Sequence, residues 1–196
     1  MSFLCRNSCV ILVLLAIGAV PILGSVSQSK YDSAWWQSTS QDERTEFIAG
    51  YLDCATYDMG ESKLADAQWN VIEPKITTYY TSQTESNRQT VPSLILRLGL
   101  SSHSADRGPE LNTERHGIFD GDYWRQITPS GRAGFVEGYI ACRTSKPGQK
   151  QKRFAAHSAT WYVGQISGTY RLTPDHDIDD SRASKKIATI IQEHTK

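Results

Sequence analysis

The stretch RTEFIAGYLDC (Arg44–Cys54) returns as RAGFVEGYIAC (Arg132–Cys142), displaced by 88 positions. At that offset eight pairs are identical: Asp32/Asp120, Trp36/Trp124, Arg44/Arg132, Phe47/Phe135, Gly50/Gly138, Tyr51/Tyr139, Cys54/Cys142 and Thr56/Thr144. Ordinary residue frequencies would supply about one or two such matches over positions 32–56. Similar residues fill the gaps, as in Trp35/Tyr123, Ser40/Thr128, Ile48/Val136 and Leu52/Ile140. The chain therefore reads as a tandem duplication, and whatever one copy folds into must occur twice.

Each copy reads as helical. Ser40-Gln-Asp-Glu43 is a capping box ahead of an apolar stripe. Its counterpart spells the helix start differently, with Thr128 as N-cap and Pro129 at the first helical position. Phe47, Gly50, Tyr51 and Cys54 then share one helical face, as do Phe135, Gly138, Tyr139 and Cys142. Val91, Leu94, Ile95 and Leu98 follow helical spacing, and Ile187, Ile190 and Ile191 repeat the first three at an offset of 96. Trp69–Tyr80 and Phe154–Tyr170 correspond in kind. The expected fold is all-α, with two tandem three-helix repeats packed about a pseudo-twofold axis. Repeat 1 spans 31–98, a linker loop spans 99–117, and repeat 2 spans 118–196.

Glycine inside a helix costs about 1 kcal/mol relative to alanine. Its recurrence in both copies points to a close neighbouring backbone, since only glycine removes Cβ from such a contact. Packing the two GYxxC helices on each other brings Cys54 and Cys142 face to face. In an oxidising compartment that pair forms a disulfide; the alternative is two unpaired thiols buried in separate cores. Arg44 and Arg132 fall in the first turn of their helices, the unfavourable end of the dipole for a cation. Each therefore needs a partner, with Asp32 or Asp120 and the face of Trp36 or Trp124 as the candidates.

The N-terminus places Arg6 before an apolar run from Cys9 to about Leu23, followed by Gly24, Ser25 and Ser27. That is the layout of a cleaved signal peptide, residues 1–24. The run falls short of the ~20 apolar residues of a spanning helix, so membrane contact is expected only transiently. Export to the periplasm or the extracellular space follows, and it suits the disulfide. Lys+Arg and Asp+Glu are both 21. This balance carries no electrostatic footprint for nucleic acid, and Lys146–Arg153 reads as a solvated basic loop.

Candidate chemistry is sparse. ERHGIFDGDYW (Glu114–Trp124) gathers His116, Asp120 and Asp122 around glycines and aromatics, and of these only Asp120 has a match in the first copy. A His–carboxylate set can act as acid and base, or bind a metal; the competing reading is a glycine-bearing loop with Asp120 capping a short turn. Asp175, Asp177 and Asp179 imitate the first ligands of a calcium loop, but Asp180 and Lys186 stand where that loop needs Gly and Glu. No cofactor or metal is expected.

The pattern R-x-x-F-[IV]-x-G-Y, followed by a helix ending Ile76-Thr-Thr-Tyr-Tyr80 and then by Val91–Leu98, resembles the small periplasmic immunity proteins of the Tai group. Those proteins bind and block peptidoglycan-amidase toxins delivered by type VI secretion. The resemblance implies a non-enzymatic, exported helical module whose partner is another protein. The alternatives are an envelope hydrolase using His116 with Asp120 or Asp122, and a structural envelope protein.

Overall fold

The computed structural model describes residues 30–65, 67–82, 89–101, 119–145, 153–154, 156–171 and 185–195. The apolar N-terminal run, His116, the Asp175–Asp180 cluster and most of the Lys146–Arg153 stretch lie outside them. The described residues are all-helical, with no strand among them. None of their helices is long and apolar enough to cross a membrane.

The elements run α1 (Ser33–Ser38), α2 (Gln41–Asp53), a π-helical turn (Cys54–Asp58), a 3-10 turn (Ser62–Leu64), α3 (Trp69–Ser82), α4 (Val91–Ser101), α5 (Gly121–Gln126), α6 (Pro129–Thr144), α7 (Ala159–Arg171) and α8 (Ile187–Glu193). Helix α4 extends to Ser101, so residues 99–101, expected in the linker loop, are helical.

Local chemistry explains the starts. The Asp32 side chain accepts from the amides of Ala34 and Trp35, and Asp120 accepts from those of Asp122 and Tyr123. Each carboxylate thereby satisfies two orphan donors of a six-residue helix too short to hold itself. Ser40 accepts from Glu43 N at 3.2 Å, and Thr128 from Gly131 N at 3.1 Å. The first amides of α4 and α8 are taken by backbone instead: Val91 donates to the Tyr31 carbonyl at 2.9 Å and Ile187 to the Phe119 carbonyl at 2.8 Å.

Helices α2 and α6 form the most extensive contact between elements, with α3 and then α4 stacked outside α2, and α7 and then α8 outside α6. Phe47, Ile48, Phe135, Val136 and Tyr139 are fully buried, as are Trp36 and Trp124 to within one per cent. The outer helices are pinned by polar tips. Trp36 Nε1 donates to Thr77 Oγ1 and Trp124 Nε1 to Ser167 Oγ, each at 3.0 Å. The Tyr80 hydroxyl donates to the Gln89 carbonyl and the Tyr170 hydroxyl to the Lys185 carbonyl. A buried indole or phenol needs such an acceptor, and its position fixes the register of the helix that carries it.

Candidate functional site

The α2–α6 seam collects most of the residues that the sequence singles out. A methyl group at Gly50 would overlap the carbonyl oxygen of Phe135 and lie 2.8 Å from its carbonyl carbon. A methyl at Gly138 would meet the Phe47 carbonyl in the same way and lie 3.0 Å from Tyr51 N. Gly134 abuts the carbonyl of Glu43. The contacts ascend together, from Glu43 with Gly134, through Phe47 with Gly138, to Cys54 with Cys142, so the two helices run parallel. Cys54 and Cys142 form a disulfide with a Cα–Cα distance of 6.1 Å, and both are buried.

The arginines correct one expectation. Neither pairs with the aspartate of its own copy, because Asp32 and Asp120 are spent as N-caps. A short acidic side chain satisfies nearby amides more cheaply than it reaches across to a guanidinium. Arg44 Nε instead donates to Glu73 Oε1 at 2.9 Å, and its Nη1 to the carbonyls of Trp36 and Thr39. Its guanidinium carbon lies 5.3 Å from the Trp36 ring centroid. Arg132 Nε donates to the Trp124 carbonyl at 3.0 Å, with its guanidinium 5.6 Å from that ring.

Two polar clusters cross the seam. At one end, Tyr123 donates its hydroxyl to Glu46, whose carboxyl is pushed up to about 7 chiefly by burial, with the Tyr123 bond opposing and the Asp42 charge adding. At the other end, Asp58 accepts from the Tyr139 hydroxyl and, at 2.7 Å, from Gln192 Nε2, with Arg143 at 3.7 Å. Beside it Asp53 is 5 % exposed, and among the described residues its Oδ2 has no hydrogen-bond partner. Burial, with the Asp58 charge adding and Lys186 opposing, raises the Asp53 carboxyl to about 7.

An open cleft of about 380 Å³ lies at the N-terminal end of the seam, lined by Gln41, Asp42, Thr45, Glu46, Gln126, Ile127 and Thr128. It offers two hydroxyls, two amides and two carboxyl groups, a surface for polar contacts. The proposed catalytic set is engaged elsewhere: Asp120 caps α5, and Asp122 pairs with Arg125 on the exposed side of that helix. His116 lies outside the described residues. Among the described residues, no group of three or more His, Cys, Asp or Glu side chains could hold a metal ion.

Glu73, Glu46, Asp58 and Gln192 were not singled out by the sequence, and Tyr123 was noted only as the counterpart of Trp35. Glu73 carried a signal, as an acid on the face of α3 that also bears Ile72 and Ile76 and one turn before Thr77. The others meet partners 77 to 134 positions away, and no local pattern announces that. No family model, no curated protein and no solved structure matches this chain.

Proposed function

We propose that the chain is an exported helical binding or inhibitor module, made of two copies of one unit about a pseudo-twofold axis and acting on another protein. The reading of two related units is supported by reciprocal contacts: Gly50 on Phe135 and Gly138 on Phe47, and Trp36 on Thr77 and Trp124 on Ser167. A chain that mimics a symmetric dimer presents matched surfaces from both halves. Export is supported by the Cys54–Cys142 disulfide, since such bonds persist in oxidising compartments.

One observation carries the module reading over the hydrolase reading. The side chains written twice in the sequence serve internal contacts as caps, clasps and helix seams, and Asp120 and Asp122 are occupied in the same way. The duplicated motif is thus a scaffold, and recognition falls to the surface it carries. The immunity-like version adds that the partner is a peptidoglycan amidase.

The test is capture from envelope extract with the chain from Ser25 onward immobilised. Recovery of one stoichiometric protein, and loss of its amidase activity on addition of the purified chain, is the expected outcome. Peptidoglycan hydrolysis by the purified chain alone would overturn the reading.

A further inference from the structure

One electrostatic difference between the two halves lies beside the repeated arginines. Helices α3 and α7 correspond at an offset of 90, fixed by the Trp36–Thr77 and Trp124–Ser167 hydrogen bonds. Four residues before each hydroxyl, α3 carries Glu73 and α7 carries Val163. In the first half the Glu73 Oε1 atom takes the Nε–H of Arg44 at 2.9 Å and the hydroxyl of Thr77 at 3.0 Å. In the second half, among the described residues, no carboxylate pairs with Arg132 and no acceptor takes the Ser167 hydroxyl proton. Arg132 uses Nε on the Trp124 carbonyl, which leaves the outer edge of its guanidinium fork unspent.

Both arginines sit in the first turns of parallel helices, where the dipole already presents positive charge. Glu73 offsets that at Arg44, and Val163 offsets nothing at Arg132. Glu73 is buried, whereas Arg132, Val163 and Ser167 are each half-buried. A guanidinium held over an indole ring is pre-ordered for a carboxylate, because its planar donors need no further freezing.

We propose that Arg132, Ser167 and the space above Val163 form a carboxylate-binding seat, equivalent to the place that Glu73 fills in the first half. The carboxylate accepts from the Arg132 Nη groups and from the Ser167 hydroxyl, with the Val163 methyl groups against its alkyl stem. Its source is either a free small acid or an acidic side chain of a protein partner. The proposal rests on the correspondence of the two halves and not on the immunity-like reading, and its test involves no captured partner.

The experiment titrates the full chain, labelled with ¹⁵N, with sodium acetate, with sodium chloride at matched ionic strength, and with the peptide acetyl-Ala-Glu-Ala-amide. Side-chain Nε–H signals of Arg132 and Nε1–H signals of Trp124 are followed. Saturable shifts with acetate and peptide, absent with chloride, are expected. Tighter binding of the peptide assigns the seat to a protein carboxylate, and tighter binding of acetate assigns it to a free acid. Val163→Glu places an internal carboxylate in the seat, so it should raise the melting temperature and weaken acetate binding by about tenfold or more. If that variant does not fold, Ser167→Ala gives a second reading, with weaker acetate binding expected. Equal shifts with chloride and acetate, or unchanged acetate binding in the variant that folds, would overturn the proposal.

Discussion

Gly138 and Gly164 are both helical glycines, yet they stand in opposite surroundings. A Cβ at Gly138 runs into the Phe47 backbone, whereas one at Gly164 meets nothing within 4 Å. Gly138→Ala should therefore lower stability by about 1–3 kcal/mol through forced separation of α2 and α6. Gly164→Ala should raise it by roughly 0.5–1 kcal/mol through helix propensity. Urea denaturation of the two variants checks the contrast. The repeated glycine was legible in the sequence because its cost demanded a cause. The arginine partner was misread because capping by Asp32 and Asp120 is a local interaction that competes with a longer reach, and Glu73 lies 29 residues from Arg44. Asp53 gives a pH-dependent consequence at the same scale. Unfolded, its carboxyl ionises near the ordinary 3.8; folded, it holds its proton up to about 7. Below both values the two states bind the proton equally. As pH rises between them only the unfolded chain releases it, so stability falls and the loss is complete above about pH 7. Glu46 adds to the fall in the same direction, between 4.5 and about 7. Asp53→Ala, which installs the residue found at the matching position Ala141, should gain on the order of 2–4 kcal/mol at pH 8 and far less at pH 4. Thermal melts across that range measure the difference.

Among elements, α2 and α6 begin alike and end differently. Helix α6 continues to Thr144, while α2 opens at Cys54 into a π-helical turn ending at Asp58. The turn carries Asp58 to Tyr139, Arg143 and Gln192, and so ties the first half to α6 and α8 of the second. Asp58→Ala removes the acceptor for all three and should cost about 2–4 kcal/mol, read from the denaturation midpoint. The disulfide at the head of this turn closes a loop set by a sequence separation of 88. Replacing both cysteines by alanine should cost about 4–5 kcal/mol in the chain-entropy view, with the same assay as the check. The sequence made the helices and their N-caps legible, since Ser40, Thr128 and Pro129 are short-range signals. It said nothing of the π turn, which begins at Cys54, the last residue of the apolar stripe read there.

At the scale of the whole molecule, the helical class of the described residues was readable from caps and apolar spacing. Repetition placed Cys54 and Cys142 on matching glycine-lined faces but left open two unpaired thiols in separate cores, and the disulfide decides between them. The polar ties between the halves were not readable, since Glu46–Tyr123 and Asp58–Gln192 occur once and have no duplicated counterpart to expose them. The two halves are held together through α2 and α6, with the Cys54–Cys142 bond between them. To test this, a protease site is inserted at position 107, the purified chain is cut there, and helical circular dichroism and gel mobility without reductant are followed. Both pieces should stay together at full mass with the helical signal intact, and separate on a gel only after reduction. Pieces that part without reductant, or a helical signal that collapses on cutting, would contradict it.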